Sequence, residues 1–334
     1  MDKINLLVNL PAGFYKTPSL RAAFARLGEL ATLRRRSHNA AAEIEKDLAW
    51  ADAVLMWSWP KLTPDLLDKA PRLRFAAHLD VTQAPARAAL ERGLAVSVAR
   101  SAFSPAVAEM ALALTLALLR RTSDHHAAAR RGDEAWVSSF PDDIDPRERE
   151  LTGRPVGIVG FGQIGRRLRQ LLAPFGGPVR AADPFVPADA MAAANVVKVE
   201  LPELLRASDV VILCAAANAG TAKLLGKREI NALRKNAILI NVARAALVDT
   251  DALVARLKKG DLFAAIDVFD QEPLPKAHPL RKLPNAYLTP HRAGGILASV
   301  ERILTWLTDD LESHLAGRPR RYALTERMLP ALDA

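Results

Sequence analysis

The sequence predicts an α/β protein in which parallel β-sheets are flanked by helices and arranged as two domains. Three observations carry this reading. The chain has 334 residues, too many for one ordinary core and enough for two domains of common size. Short apolar runs alternate with helical patterns from end to end, which implies parallel strands joined by crossover helices. Near residue 160, a strand-like run passes through a glycine-rich turn directly into a helix. Half the residues are hydrophobic and a quarter are charged, a balance that suits a folded globular chain rather than a disordered one.

The first hundred residues supply the first set of elements. The N-terminal MDKINLLVNLPAGF lacks a basic stretch before its apolar run, so Ile4 to Leu10 reads as a first strand and not as a signal peptide. Ser19 to Leu27 reads as a helix with Ser19 as N-cap. A helix around Ile44 and Leu48 leads to a strand at Ala53 to Trp57. Pro64 to Lys69 is a helical turn and Leu73 to Ala77 a strand. Ala84 to Arg92 is a helix closed by Gly93, and Ala95 to Val98 is the next strand. Ser104 then opens a long helix, SPAVAEMALALTLALLRR. Pro105 suits its first helical position and Glu109 its early turns. Apolar residues occupy nearly every face of it, so it is expected to be buried all round. Its apolar run, Ala106 to Leu119, is shorter than the ~20 residues a membrane span requires.

Residues His125 to Arg154 are polar and charged and read as an extended excursion over the surface with weak helical content. The alternation then resumes, with strands expected at Val156–Val159, Val179–Ala182, Val210–Leu213, Ile238–Asn241, Phe263–Asp267 and Ala286–Leu288. A last long helix, Leu297 to Leu315, ends at Gly317. No internal repeat or low-complexity segment interrupts this order.

Charge narrows the partners. The net charge is +9, from 46 basic and 37 acidic residues. The basic residues fall in short clusters, Arg34 to Arg36, Arg120-Arg121, Arg166-Arg167 and Arg318 to Arg321. None makes a long run or a nucleic-acid motif, so a solvated surface that steers small anions is expected, and neither nucleic acid nor membrane is expected as a partner. The single cysteine, Cys214, permits no intrachain disulfide and suits a reducing, cytoplasmic setting. No set of residues has metal-ligand spacing.

The glycine-rich turn reads Gly160-x-Gly162-x-x-Gly165, between the strand Val156–Val159 and the helix Gln163 to Leu172. Gly160 permits the tight turn, Gly162 lets backbone approach a pyrophosphate, and Gly165 lets the helix lie close to the sheet. The helix N-terminus offers free N–H groups to phosphates. Asp183 follows Gly165 by 18 residues (183 − 165), close to the ~20-residue spacing of an acid that binds ribose hydroxyls. Its carboxylate would repel a 2′-phosphate, and no arginine stands beside it to accept one. NAD is therefore expected over NADP.

Three later segments each close a predicted strand: Asn241-Val-Ala-Arg244-Ala, Asp267-Val-Phe-Asp-Gln-Glu272-Pro273, and Thr289-Pro290-His291-Arg-Ala-Gly294. Ligands of open parallel sheets collect at the carboxyl ends of strands, so these segments can share one crevice. With SPAVAE from Ser104, Leu151-Thr-Gly-Arg and GFGQIG, they occur in the order of the D-isomer-specific 2-hydroxyacid dehydrogenase family, which the chain resembles from about Ser104 to Gly294.

The resemblance implies two Rossmann-like or flavodoxin-like domains. Residues 102–291 would bind NAD, while residues 1–101 and 292–334 together would build a discontinuous substrate domain. The helix at 104–121 would pack in a homodimer interface. The implied activity is oxidation of a CH–OH donor, a small 2-hydroxy acid, or reduction of the matching 2-keto acid. His291 would move the proton, Glu272 would favour its imidazolium, and Arg244 would hold the carboxylate and polarise the carbonyl. Gln163 and Ile164 would present N–H groups to the pyrophosphate and Asp267 would meet the nicotinamide amide. Cys214, Ala243 and Gly294 complete the implied cofactor contacts.

The sequence also departs from the family pattern. The loop after Leu73–Ala77 reads Ala77-His78-Leu79-Asp80-Val81-Thr82, without the glycines that usually offer N–H groups to the substrate carboxylate. Leu79 and Asp80 N–H groups are expected to serve instead, near His78. Trp57-Ser58-Trp59 stands where phosphate-binding members carry an arginine, which disfavours 3-phosphoglycerate; the two tryptophans read either as walls or a lid for an apolar or aromatic substrate side chain or as packing of a buried strand end. Ala245 replaces a common glycine. Two other readings remain at this point: a dinucleotide-sensing binding protein or corepressor, and an NAD enzyme for another substrate such as formate, which would not need the Glu272–His291 pair.

Overall fold

The computed structural model describes residues 3–57, 60–79 and 81–332. The chain divides into two compact units, Met1–Ala102 with Ile296–Ala334, and Phe103–Gly295. The seams expected from the sequence lay at 101 and 291.

The first unit holds a five-stranded parallel sheet of β1 (Ile4–Asn9), β2 (Ala31–Arg36), β3 (Ala53–Met56), β4 (Phe75–His78) and β5 (Ala95–Val98), in the order β2-β1-β3-β4-β5. The strands β3 and β4 are buried along their whole length, because helices cover both faces of the sheet. The core gathers Leu7, Val54 and Ala76 with Ile44 and Leu48 of the helix Ala41–Trp50. The C-terminal tail returns beside β5, where Leu324 N–H donates to Val96 and Val98 N–H donates to Tyr322. Asp310, on the helix Leu297–Leu315, is 1 % exposed and accepts Ser97 Oγ at 2.7 Å together with the Arg321 and Tyr322 N–H groups. That buried carboxylate fastens the tail to the unit.

The arginine run Arg34 to Arg36 lies on the edge strand β2, where Arg35 and Arg36 are exposed, as expected of a solvated cluster, and Asp47 accepts both Arg34 and Arg36 at 2.8 Å. Charged side chains on an edge strand discourage pairing with other chains. The first helix begins differently from the sequence expectation. Pro18–Leu20 forms a 3₁₀ turn and the α-helix runs Arg21–Leu30, so Ser19 does not cap it.

The second unit holds seven parallel strands: β6 (Val156–Val159), β7 (Val179–Ala182), β8 (Val197–Lys198), β9 (Val210–Leu213), β10 (Ala237–Asn241), β11 (Leu262–Ile266) and β12 (Ala286–Leu288). Their order is β12-β11-β10-β9-β6-β7-β8, with the reversal between β6 and β9 that defines a switch point. Successive residues of one strand serve opposite cores. Ile238 and Ile240 meet Val156, Ile158 and the helix Ser104–Leu119. Leu239 meets Leu204, Ile230 and Leu253 on the other face. Apolar residues therefore run without alternation along β9 and β10.

Helix Ser104–Leu119 begins as expected, with Pro105 in its first turn, but it is not buried all round: Glu109 and Ala113 are exposed, while Met110, Leu116 and Leu118 are half-buried. Counted with the 3₁₀ turn before it, the run Arg100–Leu119 reaches 20 residues, long and apolar enough by composition to cross a membrane, and half of it is buried in the protein. Residues Thr122–Arg131 form a helix, more regular than the weak helical content expected from His125 onward.

Candidate active site

Strand β6 delivers the glycine-rich turn, and the glycines divide into two kinds. Gly160 has φ +89°, and a Cβ there would lie 2.5 Å from Ala215 Cα. At Gly165 a Cβ would lie 2.5 Å from the Gly160 carbonyl oxygen. Both positions are closed by the protein itself. At Gly162 a Cβ would meet nothing within 4 Å, so its absence opens a path for something outside the chain. Gly162 caps the helix Gln163–Leu172, whose Arg166 N–H donates to the Gly162 carbonyl. The Gln163 and Ile164 N–H groups precede that first bond and belong to the set that intrahelical pairing leaves over. These residues fit a dinucleotide, with the pyrophosphate at the open side of Gly162.

Asp183, after β7, lies on the same edge. Its Oδ2 accepts Phe161 N–H at 2.7 Å, and Oδ1 accepts Phe185 and Val186 N–H at 2.9 and 3.2 Å. A carboxylate has about four acceptor directions. The bond to Phe161 N–H ties the glycine turn to the Asp183 loop and the other two lie within that loop, which leaves acceptor capacity for a ribose hydroxyl. Cys214 follows β9, and burial pushes its thiol up to about 12, so it is an uncharged packing group at neutral pH.

The neighbouring strands β10, β11 and β12 end beside one another and deliver the three remaining segments. After β10, the buried Asn241 side chain accepts Ala243 N–H at 3.1 Å and donates to the Arg244 carbonyl at 3.0 Å. This holds the turn on which Arg244 stands exposed, its Nη1 donating to the Ala243 carbonyl at 2.8 Å.

Asp267 follows β11 and is fully buried. It accepts Thr289 Oγ1 at 2.5 Å and the Arg292 and Ala293 N–H groups at 2.8 Å, while its carbonyl accepts His291 N–H at 2.8 Å. These bonds surround His291 and fix it at φ +51°, a left-handed conformation that side chains other than glycine seldom adopt. Gly294 closes the turn, where a Cβ would come 3.1 Å from the Phe103 ring.

Held this way, His291 Nδ1 lies 2.7 Å from Glu272 Oε2. The other oxygen, Oε1, accepts Phe269 N–H at 3.0 Å. Burial alone would raise the Glu272 carboxyl. The hydrogen bonds from His291 and Phe269, with the charges of His291 and Arg244, outweigh it and leave the group below the usual glutamate range. Glu272 is therefore a carboxylate at neutral pH, oriented against one imidazole nitrogen and within the field of one guanidinium. The imidazole's Nε2 stays available to a ligand.

The second unit thus brings Arg244, Glu272 and His291 together with Asp267, on the same sheet edge as the glycine turn. The anchors Asn241, Phe269 and Thr289 were missed in the sequence. An asparagine closing the apolar strand AILIN was a signal for the first, since a buried polar side chain must find partners. Phe269 acts through its backbone and left no signal.

The substrate candidates Trp57, His78 and Leu79 belong to the first unit, and Asp80 and Trp59 lie outside the described residues. Trp57 packs edge-on against Phe14, with ring centres 5.1 Å apart. His78 is 5 % exposed. Burial lowers its pKa to about 4 although its ring bonds to the Trp57 backbone, so it is neutral. The expectation for Leu79 needs correcting. Its N–H donates to the Met56 carbonyl at 3.1 Å because β3–β4 pairing continues one residue further, so it is not free to hold a carboxylate.

Comparison with known proteins places the chain among relatives of one family. The family profile described as "D-isomer specific 2-hydroxyacid dehydrogenase, NAD binding domain" matches residues 112–293. The chain is 32 % identical over 301 residues to the glyoxylate reductase of Thermofilum pendens, covering 87 % of this chain and 83 % of that one. It is 31 % identical over 279 residues to the D-3-phosphoglycerate dehydrogenase of Methanocaldococcus jannaschii, covering 82 % of this chain but only 52 % of the relative, about half its length. A phosphoglycerate oxidoreductase from Rhizobium etli superposes with a TM-score of 0.81 at 27 % identity, over 96 % of this chain and 98 % of that one.

Proposed function

The chain belongs to the D-isomer-specific 2-hydroxyacid dehydrogenase family, and on that premise we propose that it is an NADH-linked reductase of a small, unphosphorylated 2-keto acid, with His291 as the proton donor. The observation that carries this reading is the 2.7 Å bond between His291 Nδ1 and Glu272 Oε2. It commits one imidazole nitrogen to the carboxylate and leaves Nε2 to deliver a proton to a carbonyl oxygen in reduction, or to take one from a hydroxyl in oxidation. Arg244 supplies the fixed positive charge that a developing alkoxide and a carboxylate both require. Asp267 holds His291 in place through the turn. The Gly162 turn, the N-terminus of Gln163–Leu172 and Asp183 would hold the dinucleotide, which would supply hydride-transfer chemistry there.

The carboxylate of Asp183 beside the ribose position supports NAD over NADP, since a 2′-phosphate would meet its negative charge. The stretch Trp57 to Pro60 contains no arginine, which supports a substrate without a phosphate. A homodimer is supported by apolar surface in the second unit: the half-buried Met110, Leu116 and Leu118 of the long helix, and Trp136 and Phe140, which are 76 % and 78 % exposed. NADH oxidation by the purified protein against glyoxylate, hydroxypyruvate, pyruvate, 2-ketoisocaproate and phenylpyruvate tests the activity. Turnover of any of these supports the reading, and binding of NADH with no turnover of any refutes it for this substrate class.

A further inference from the structure

We propose that the second unit carries a second ligand site, a cavity behind the Arg244 and Glu272 loops that takes a neutral single-ring aromatic molecule bearing one hydrogen-bonding group, of the size of a phenol. The cavity has a volume of about 210 Å³ and lies between the ends of β10 and β11, the helix Thr250–Leu257 and the loop that follows β11. It is separate from the site above. None of the glycine turn, Asp183, Arg244, Glu272 or His291 lines it.

Volume and lining choose the ligand. An apolar protein cavity of about 150 Å³ is enough to hold a benzene ring, so this one has room for one ring and a substituent. Val248, Leu253 and Phe269 make apolar walls. Asn241, Thr250, Asp270, Gln271 and His278 supply the polar lining, and the Asp270 carboxylate, its one acidic group, accepts Thr250 Oγ1 at 2.5 Å. The Asp270 carboxylate favours a hydrogen-bond donor and repels another carboxylate, so a neutral ligand suits this lining better than the keto and hydroxy acids of the proposed reaction.

Two lining residues connect the cavity to the catalytic groups. Phe269, whose backbone N–H holds Glu272 Oε1 at 3.0 Å, contributes to the wall. So does Asn241, whose side chain holds the Arg244 carbonyl at 3.0 Å. An occupant bears on both anchors at once without touching the ground where substrate or dinucleotide would lie. The site is therefore regulatory, acting on turnover rather than on cofactor affinity.

The binding part is independent of the dehydrogenase reading and only the kinetic part rests on it. Phenol binding to the whole purified protein is measured by calorimetry, and crystals soaked in 4-bromophenol are searched for bromine anomalous signal. The site predicts one saturable phenol per chain, a bromine peak in the cavity, and at least tenfold weaker binding in Leu253→Trp, which fills the cavity from the helix side. Val248→Phe fills it from another wall and replaces Leu253→Trp if that variant does not fold. A bromine peak elsewhere, a peak without saturable solution binding below about 10 mM, or undiminished binding in the filled variant overturns the site. With a turned-over keto acid, saturating phenol should change kcat at least twofold and leave the KM for NADH unchanged. Competition with NADH would place the phenol in the dinucleotide crevice and overturn the regulatory assignment. If no keto acid is turned over, the dehydrogenase reading fails while the calorimetry and the bromine peak still decide the site.

Discussion

The glycine turn permits a prediction in which two one-methyl changes, three residues apart, have opposite effects. Gly162→Ala places its methyl where nothing lies within 4 Å, at φ −75° and ψ −154°, an extended backbone that alanine adopts. Its stability should stay within about 1 kcal/mol of the parent, because the new residue loses little and the unfolded chain is stiffened. The same methyl stands where a pyrophosphate must approach, and loss of that approach should weaken NADH binding at least tenfold, roughly 1.4 kcal/mol. Gly165→Ala places its methyl 2.5 Å from a backbone carbonyl oxygen, against a floor of 3.0 Å for real contacts, so helix and turn must separate by about half an ångström. Overpacking against backbone costs about 1–3 kcal/mol. Better helix propensity returns less than ~1 kcal/mol of this, which leaves a net loss on the order of 2 kcal/mol and a Tm lowered by roughly 4–8 °C. Thermal unfolding and fluorescence titration with NADH read both effects. Gly162→Ala binding NADH with parental affinity would refute the assignment of this turn as the phosphate cradle, and a fully stable Gly165→Ala would refute the packing argument.

Three further outcomes follow from the same geometry. His78 is neutral in the fold with its pKa lowered from 6.5 to about 4; its contribution is complete above pH 6.5 and is lost as pH falls toward 4, to a total of about 3 kcal/mol. Urea unfolding from about pH 7.5 to 4.5 should show a steeper loss in the parent than in His78→Gln, and equal slopes would contradict it. Glu272→Gln keeps an acceptor for Phe269 N–H but removes the charge facing His291, so kcat should fall on the order of 10²-fold while NADH affinity changes less than twofold; a parental kcat would remove Glu272 from the chemistry. Asp183→Ser releases three backbone N–H groups and the negative charge, and should narrow the preference for NADH over NADPH at least tenfold; an unchanged ratio would mean that another group sets it.

Much of this architecture was legible because the chain repeats one simple pattern. Where a sheet is covered on both faces, strands are uninterrupted apolar runs, and Val156–Val159 and Val210–Leu213 have the limits expected from such runs, while Val179–Ala182, despite Arg180, and the edge strand Ala286–Leu288 also keep their expected limits. The chemistry was legible for a related reason: Arg244, Asp267 and His291 each fall within three residues after an apolar run, where parallel sheets place their ligands. Elements without an apolar signal were not visible. Strand β2 reads ATLRRR, and the acceptor of Arg34 and Arg36 is Asp47 on the following helix, which a local reading does not connect to them. The helix Thr122–Arg131 buries no residue, so no periodicity marks it. Leu79 was misjudged because strand pairing, a tertiary fact, had already used its N–H.

The measurement that tests the central claim most directly compares His291→Gln with the parent, reading kcat for NADH oxidation on the best keto acid together with the Kd for NADH. If His291, oriented by Glu272, delivers the proton, kcat falls by about 10²–10⁴-fold with Kd unchanged. If kcat persists within tenfold of the parent while the protein remains folded and NADH-bound, the proton comes from elsewhere and the account of this site is wrong.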